Sequence, residues 1–324
     1  MSGGTVLILT DHDDHTTDLI VHALHQRDAT VVRLDPGTAR LRMDARLDGA
    51  RWRGLVGDEH RAARLEEVTG VLWRWPGAAS GHPDIGDPAA RAWAAREDAL
   101  ALHGVLSTLP VRWVNHPFAA AAAGHKPGQL LAARGCGLEV PDTLITTSGA
   151  GVADWAGGRP VLYKAAHAQG ADEDAMVTAG AVDPAALPDH LGAASCFQPV
   201  VAGPSVRLTV VGNRMFAVRI TGCPADLIDW RPIQDQLAFI PVPVPEHIAA
   251  GVHAFMRHFG LEYGAFDFID SSGGWVFLEI NPTGMYGFVE IQSGLAITDA
   301  ITERLLTPLS GNEALASLGI VHGR

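Results

Sequence analysis

The stretch YGAFDFIDSSGGWVFLEIN, which runs from Tyr263 to Asn281, constrains the fold of this chain more than any other. Two runs rich in aromatic and β-branched residues flank the sequence DSSGG, whose residues favour a tight turn. The pattern therefore predicts a β-hairpin, with one strand at 265–269 and the other at 275–280.

The predicted hairpin brings three oxygen-bearing side chains to one face. If the hairpin folds about Gly273, Asp267 lies directly opposite Glu279, and Asn281 shares the face of Glu279 because it lies two residues further along. Two neighbouring carboxylates repel each other, and burying them without a counter-charge is costly. Mg²⁺ resolves this, since it takes carboxylate oxygens together with substrate phosphates. The alternative is a hairpin with a solvated polar face, but the apolar residues beside each acid favour the metal site.

Composition narrows the class of protein. The 324 residues suffice for two or three domains, and 47% hydrophobic with 19% charged residues is an ordinary globular balance. A net charge of −12 argues against nucleic acid and anionic membranes as partners. We expect a cytoplasmic protein, because the first residues lack the pattern of a signal peptide and no apolar run reaches the length of a membrane span. The three cysteines have no paired or metal-type spacing, and they suit a reducing compartment: Cys136, Cys196 and Cys223.

Residues 1–115 have the pattern of one α/β unit that begins with a β-α-β arrangement. An apolar strand at 5–9 precedes a helix from Thr16 to Gln26 and a strand at 31–34. The Asp and His residues at 11–15 invite a metal interpretation, but their spacing fits no common site, and a helix N-cap is the alternative that we favour. The other predicted elements of this unit are strands at 41–47, 51–56, 70–73 and 111–115 and a helix at 88–106.

The remainder of the chain alternates between helices and strands. A loop at 165–174, rich in small residues, is a candidate to close over phosphate, and the chain is expected to return as a strand at 175–179. A second hairpin is predicted about Gly212-Asn213, and 223–245 has the composition of a loop. The remaining predicted elements are helical stretches within 118–135, 152–156, 184–190, 245–259, 287–293 and 296–306, and strands at 143–146, 160–164, 195–201, 205–211 and 214–220.

Four basic residues suggest that the acidic hairpin works with a triphosphate. Lys126 begins a helix, Lys164 ends an apolar strand, and Arg207 and Arg219 lie on the two arms of the second hairpin, where their spacing favours one shared face. Cations inside or at the end of apolar strands are costly unless they meet anions, although each one alone is equally compatible with a solvated surface charge. The chain has neither GxxxxGK[ST] nor GxGxxG after a strand, so it is not a P-loop or dinucleotide-binding protein.

The order of these motifs resembles the ATP-grasp superfamily, over about residues 116–306. More specifically, the chain is similar to the ribosomal-peptide maturases of the graspetide group, which includes the microviridin-like ω-ester peptide macrocyclases. The resemblance implies an ATP-grasp fold with an N-terminal α/β pre-ATP-grasp domain at 1–115, a central subdomain at 116–200 and a C-terminal subdomain at 201–324. The segments that carry it are Asn115-His116-Pro117, HKPGQL from His125, GLEVPDTLIT from Gly137, RLTVVG from Arg207, Asp229-Trp230-Arg231, EINPTG from Glu279, and VLWRWP from Val71.

The resemblance also implies roles for individual residues. Lys126 and Lys164 would hold the α- and β-phosphates of ATP, Arg219 would neutralise the γ-phosphate, and Arg207 would act beside it. The backbone of Gln198, Pro199 and Val200 would form the hinge that contacts adenine, and Asp267, Glu279 and Asn281 would ligate Mg²⁺. The residues expected to contact the peptide substrate are Arg74, Trp75, Trp230 and Arg231. The chain departs from the family pattern at Ser205, where an acidic residue commonly precedes the arginine, and at Arg74-Trp75, where an arginine pair is common.

The implied reaction is ATP-dependent macrocyclisation of a ribosomal precursor peptide, recognised by its leader and core. An Asp or Glu side chain of the peptide would be phosphorylated, and a Ser or Thr hydroxyl or a Lys amine would then close an ester or amide ring. The family also implies a homodimer. Two alternatives remain open: an ATP-grasp ligase that acts on free amino acids or small peptides, and a non-catalytic nucleotide-binding protein. An exposed groove at Trp73, Arg74 and Trp75 would favour the macrocyclase.

Overall fold

The N-terminal part of the chain is built on a parallel four-stranded sheet. The computed structural model describes residues 4–37, 40–164, 179–224 and 227–309. The sheet has the order β2-β1-β6-β7, and a separate antiparallel sheet has the order β3-β4-β5. The elements are β1 (Thr5–Leu9), α1 (His15–His25), β2 (Thr30–Leu34), β3 (Arg42–Asp48), β4 (Arg51–Gly57), β5 (Ala62–Arg64), a 3₁₀ turn at Leu65–Glu67, β6 (Val68–Trp73), α2 (Pro88–Leu106) and β7 (Arg112–Val114).

The middle part forms an antiparallel sheet with the order β10-β9-β11-β8. The predicted helix at 184–190 is wrong beyond its first residues: only a 3₁₀ turn at Pro184–Ala186 forms, because Pro188 forces extended backbone, and His190 already belongs to a strand. The elements are α3 (Pro117–Ala123), α4 (Lys126–Gly135), β8 (Leu144–Ser148), α5 (Gly149–Ala156), β9 (Val161–Lys164), β10 (Gly180–Val182) and β11 (His190–Pro199).

The C-terminal part is a five-stranded antiparallel sheet with the order β14-β13-β12-β15-β16. It contains both predicted hairpins. Strand β14 was not predicted, because this short edge strand ends in a proline inside a loop-like segment. The elements are β12 (Ser205–Val211), β13 (Arg214–Thr221), a 3₁₀ segment at Arg231–Gln236, β14 (Ala238–Pro241), α6 (Glu246–Phe259), β15 (Tyr263–Ser271), β16 (Gly274–Asn281), α7 (Gly287–Ser293) and α8 (Ile297–Leu306).

Each of the three main sheets lies within one of the segments predicted as domains, 1–115, 116–200 and 201–324. The hydrophobic cores, in contrast, combine residues from more than one of these segments. Helix α8 packs on β6 and β7 of the N-terminal sheet and beside α1. One core therefore joins Val6 and Ile8 of β1 to Tyr263 of β15 and Ile301 of α8. Alternate residues of β1 pack on the other side of the sheet, against the end of α2. Strand β1 is apolar from Val6 to Leu9, as suits a strand whose two faces are both buried.

The two faces of the C-terminal sheet have different environments. The face that carries Val206, Phe266, Phe268 and Phe277 packs against α4 and α6 in a second core, and we call it the core face. The opposite face carries Arg207 and Asp267, and further along β15 it packs against the N-terminal part. We call this opposite face the site face. None of the described helices combines the length and apolar composition that a bilayer crossing requires.

Candidate functional site

The hairpin β15–β16 brings the predicted acidic pair together. Asp267 lies directly opposite Glu279, as predicted, and Asn281 lies opposite Ala265. Ser271 pairs with Gly274, so the turn itself contains only Ser272 and Gly273. The Ser271 hydroxyl fixes this turn, since Oγ accepts from the Gly273 N–H at 3.2 Å and donates to the Gly274 carbonyl at 2.8 Å.

A β-bulge in β16 is what brings Glu279 to the site face. A two-residue turn with a regular ladder would pair Asp267 with Leu278, but the register shifts by one residue between Asp267 and Phe268. Leu278 is the extra residue, and beyond it the alternation of side chains is inverted. Phe277 therefore packs in the core, whereas Glu279 faces the other side of the sheet.

Arg207 compensates the charge of Asp267. Its Nη1 lies 2.9 Å from both carboxylate oxygens, and its Nη2 donates to the Met285 carbonyl at 3.2 Å. Burial raises the pKa of Asp267, with Arg207 acting against the rise and Glu279 adding to it. Ser205, which stands where the family commonly has an acid, is not needed to hold Arg207, because Asp267 supplies a carboxylate from the neighbouring strand.

Two lysines surround Glu279. Lys126 begins α4, and its Nζ lies 3.3 Å from Glu279 Oε2. Lys164 ends β9 and interacts electrostatically with Glu279 and Lys126. Burial would raise the pKa of Glu279, but the charges of Lys126, Lys164 and Arg231 outweigh it, so the pKa is lowered. Burial lowers the pKa of the Lys164 ammonium, and Glu279 opposes that shift. The structure thus brings both predicted phosphate-binding lysines to the predicted metal ligands.

Arg231 joins the same electrostatic cluster. Its Nε donates to Asp229 Oδ1 at 2.9 Å. Burial would lower the pKa of Arg231, but Asp229 outweighs it, and the charges of Asp267 and Glu279 add to the net rise. Its predicted neighbour behaves differently, because Trp230 packs against the rings of Phe239 and Phe288 with centroids 5.8 and 5.9 Å away.

The prediction that Arg219 shares a face with Arg207 is wrong. The turn about Gly212-Asn213 has two residues and no bulge follows it, so Arg207 pairs with Val218 and Arg219 pairs with Val206. Paired residues lie on one face, and Arg219 therefore belongs to the core face, at its edge. There it forms an ion pair with Asp270, and its side chain is 41% exposed.

The exposed peptide groove considered for Trp73, Arg74 and Trp75 does not form at its first two residues, whereas Trp75 is only half-buried. Trp73 is 8% exposed and lies in the N-terminal core, and Arg74 is 5% exposed. Arg74 forms a buried ion pair with Asp14 at 2.6 Å and stacks on Trp75, with 4.5 Å between its guanidinium carbon and the ring centroid. Arg74 is unavailable to a peptide because it is buried in this ion pair.

The predicted hinge ends the strand β11. The Gln198 side chain is 2% exposed and donates to Thr143 Oγ1 at 3.0 Å. Pro199 pairs with Val161, and the Val200 amide donates to the Pro160 carbonyl at 3.4 Å. The adenine-binding role of this segment stays a prediction. The predicted closing loop at 165–174 lies outside the described residues, as do 175–178 of the predicted return strand. A return strand does form next to them at Gly180–Val182.

The Asp and His residues at 11–15 lead into the first turn of α1. Asp14 is the N-cap of α1, and its Oδ1 accepts from the Thr17 amide at 3.3 Å, which confirms the N-cap interpretation. Over the part of the chain that the structure describes, no group of three or more His, Cys, Asp or Glu side chains is arranged to hold a metal ion. The hairpin set differs in kind, because it combines two carboxylates with one amide.

Sequence reasoning missed the residues that hold the end of β16 in place. Gln129 of α4 exchanges hydrogen bonds with the backbone of Ile280, at 3.0 and 3.1 Å. Asn115 donates to the Pro282 carbonyl at 2.7 Å. Both residues lie in segments that carried the resemblance, but no periodicity or charge pattern distinguishes a buried amide that bonds to a distant backbone.

Comparisons with known proteins agree with this architecture. Residues 5–120 match the family described as the MvdD pre-ATP grasp domain. No curated protein matches the chain in sequence. The solved structures similar to it include the macrocyclase MdnC bound with precursor peptide MdnA, from Microcystis aeruginosa MRC. That match has 27% identity and a TM-score of 0.81, and it covers 94% of this chain and 99% of that one.

Two further structures support the same fold. Macrocyclase MdnB from Microcystis aeruginosa MRC is 26% identical, with a TM-score of 0.76, over 93% of this chain and 99% of that one. A Chryseobacterium gregarium RiPP-associated ATP-grasp ligase, in complex with ADP and a leader and core peptide, is 21% identical. Its TM-score is 0.82, over 93% of this chain and 96% of that one. These matches confirm the predicted ATP-grasp fold with its N-terminal pre-ATP-grasp domain, and the predicted resemblance to peptide-modifying ATP-grasp ligases.

Proposed function

We propose that this ATP-grasp protein, which begins with an MvdD-type pre-ATP-grasp domain, is an ATP-dependent ligase that closes macrocycles in a ribosomal precursor peptide. The observation that carries the proposal is the composition of the site face. Two carboxylates and an amide lie together with Arg207, and Lys126, Lys164 and Arg231 act on the same carboxylates. Such a set of oxygens and cations suits the phosphates of ATP with Mg²⁺.

The donor set fits magnesium. Asp267, Glu279 and Asn281 would hold the ion, since all three offer the hard oxygen ligands that Mg²⁺ prefers. Asp267 can accept from Arg207 and still ligate, because a carboxylate has about four lone-pair sites. When bound, the ion would supply positive charge beside the β- and γ-phosphates. ADP, AMPPNP and Mg occur in complexes of structurally similar ligases, which share the fold at 18 to 21% identity.

The cations of this chain would hold the ATP and stabilise the charge that accumulates during transfer. Lys126 and Lys164 would contact the α- and β-phosphates, and the backbone of Gln198 to Val200 would contact adenine. Arg207 lies on the site face and Arg231 acts on it, so these two would stabilise the γ-phosphate and the acyl phosphate. The role predicted for Arg219 stays a prediction, and its place on the core face argues against it.

The reaction would proceed in two displacements. A carboxylate oxygen of the peptide attacks the γ-phosphorus, the bond from phosphorus to the β–γ bridging oxygen breaks, and ADP leaves. A hydroxyl or amine of the same peptide then attacks the acyl carbon, loses its proton, and expels inorganic phosphate. Holding both groups in one site favours ring closure over hydrolysis.

We further propose that the protein is a cytoplasmic homodimer. Light scattering, which measures molecular mass in solution, tests the dimer.

Mass spectrometry of a precursor peptide incubated with the enzyme, ATP and Mg²⁺ tests the proposal. We expect the loss of one water for each ring, with matching release of ADP and phosphate. Glu279→Gln should abolish the loss, whereas the exposed Glu303→Gln on α8 should not change it. Reversal by mild base would identify esters, and rings that survive base would be amides. ADP release with free amino acids, and none with peptide, would contradict the proposal.

That last outcome would support the second candidate, an ATP-grasp ligase for free amino acids or small peptides. One observation favours it: Trp73 and Arg74, whose exposure would have indicated a peptide groove, are buried. The same residues would bind phosphate and metal under either function, so only the acceptor distinguishes the two candidates.

A further inference from the structure

The middle sheet turns one of its faces to the acidic hairpin. Cys196 of β11 pairs with Lys164 of β9, and Gln198 lies two residues beyond Cys196, so these three side chains share a face. Phe197 lies on the opposite face, in the small core that includes α5. Lys164 and Cys196 both interact electrostatically with Glu279, which shows where their face is directed. Gln198 continues this face about 7 Å further along the strand.

The side-chain amide of Gln198 has only one of its two ends satisfied. Its Nε2 donates to Thr143 Oγ1 at 3.0 Å. Its Oε1 is buried, and within the part of the chain that the structure describes no donor lies within hydrogen-bond distance of it. The whole residue is only 2% exposed. A buried carbonyl oxygen without a donor is unfavourable, and on this face a bound ligand is the group that can supply one.

Thr143 fixes which end of the Gln198 amide is left without a partner. The Thr143 hydroxyl donates to the Pro141 carbonyl at 3.0 Å. A carbonyl oxygen can only accept, so the hydroxyl hydrogen is committed to Pro141, and Thr143 Oγ1 can only accept from Gln198. The NH₂ end of the amide therefore faces Thr143. A reversed amide would place two oxygens against each other with no hydrogen between them.

We propose that Gln198 is a specificity-determining residue for the nucleotide: its Oε1 accepts from the 6-amino group of adenine, and Thr143 holds the amide in the orientation that this contact needs. Adenine has a donor at that position, whereas guanine and hypoxanthine have a carbonyl oxygen, which would meet a second acceptor. The site thus selects ATP over GTP through a side chain as well as through the backbone. The inference rests on the proposed function only in placing adenine at the end of β11, and it is independent of the peptide.

Calorimetric titration with three nucleotides in the presence of Mg²⁺, without peptide or turnover, tests the contact with the base. ADP carries the 6-amino group, purine riboside diphosphate lacks only that group, and IDP carries a carbonyl in its place. We expect the parent to bind ADP about tenfold more tightly than either analogue, because neither analogue has the amino donor. In Gln198→Leu, ADP and purine riboside diphosphate should bind within about twofold of each other, since no acceptor remains for the amino group.

Variants of Thr143 test the orientation of the amide. Thr143→Val removes the acceptor for Nε2 and lets the amide turn, so ADP should bind more weakly and IDP more tightly than in the parent, with an ADP preference below about threefold. Thr143→Ser keeps the hydroxyl and should keep the parental preference. The control is Thr30→Val, at the exposed start of β2, which should bind all three nucleotides like the parent. Damage to the fold alone would weaken the three nucleotides in parallel and leave their ratios unchanged.

Equal affinities of the parent for ADP and purine riboside diphosphate would overturn the inference. An unchanged ADP preference in Gln198→Leu or in Thr143→Val would overturn it as well. Failure of the proposed function has a different signature. If the nucleotides bind with the expected preferences and no precursor peptide is cyclised, the role of Gln198 stands and the proposed substrate is wrong. If the parent cyclises a peptide but does not distinguish the nucleotides, the function stands and the role of Gln198 is wrong.

Discussion

The two hairpins of the C-terminal sheet have turns of the same length, yet they present their charged residues differently. In β12–β13 the ladder is regular, so Arg207 and Arg219 lie on opposite faces. In β15–β16 the bulge at Leu278 interrupts the ladder, so Asp267 and Glu279 share a face. In both pairs the two residue numbers are odd, so residue spacing alone does not distinguish the hairpins. One additional residue in one arm decides whether such a pair can act on a single ligand.

The largest expected difference between the hairpins is in catalysis. Arg207→Ala should lower turnover by about 10²- to 10³-fold, the loss typical of one charge-stabilising donor at a reacting group. Arg219→Ala should stay within about threefold of the parent, because its guanidinium pairs with Asp270 on the other face. Single-turnover rates of ring formation measure both. A comparable loss in Arg219→Ala would restore the role that the sequence suggested for it.

The next difference concerns the free energy of unfolding. Arg207→Ala leaves the carboxylate of Asp267 without its main partner in a largely buried position, and we expect a loss of about 3 kcal/mol. Arg219→Ala breaks a pair that is partly exposed to water, and the loss should be under about 1 kcal/mol. Urea denaturation of the two variants without nucleotide gives both values. Equal losses would contradict the assignment of the two arginines to different environments.

The stabilisation that Mg²⁺ and ADP provide should also differ between variants of the two hairpins. Saturating Mg²⁺ and ADP, at about 100 times the dissociation constant, should stabilise the parent by about 2.7 kcal/mol. Arg219→Ala should retain this gain, and Glu279→Gln should lose most of it, because one metal ligand is weakened. Thermal melts with ADP, with and without Mg²⁺, provide the measurement. A Glu279→Gln protein that still gains fully would remove Glu279 from the metal site.

The smallest expected effect is the response of the two ion pairs to salt. A double-mutant cycle over Arg219 and Asp270 should give a coupling energy under about 1 kcal/mol that falls further in 1 M NaCl, where screening acts over about 3 Å. The cycle over Arg207 and Asp267 should give a larger coupling that changes little. Salt-insensitive coupling at Arg219 would indicate that this pair is more enclosed than its exposure suggests.

Much of the site was predictable because local sequence patterns indicate the elements that carry it. The hairpin of Asp267 and Glu279 combines alternating apolar residues with turn chemistry, and Lys164 follows an apolar strand. The face of Arg219 was not predictable in the same way. Across a regular two-residue turn, two odd-numbered residues lie on opposite faces of the hairpin. They share a face only if a bulge shifts the register by one residue. No local signal marks that bulge, since Leu278 is as apolar as its neighbours. The prediction for Glu279 was right because an assumed centre at Gly273 happened to give the register that the bulge produces.

The partners of Arg74 and Trp75 were not predictable for a different reason. Arg74 and Trp75 have the composition of an exposed recognition element, but their partners, Asp14 and Thr283, lie 60 and 208 positions away in the sequence. Contacts over such separations depend on how the domains pack, which a single sequence does not encode in any periodic pattern. The same reason hid Gln129, whose partner is the backbone of Ile280.

Asn115 has a consequence for domain exchange between ligases of this kind. Its side chain makes four hydrogen bonds to the later part of the chain: to the carbonyls of Tyr263 and Pro282, and from the amides of Glu262 and Tyr263. A chimera joined at residues 115 and 116 would take this asparagine from one parent and its four bonding partners from the other. The N-terminal donor of a working hybrid must therefore be chosen for its fit to the recipient's β15 and to the segment after β16.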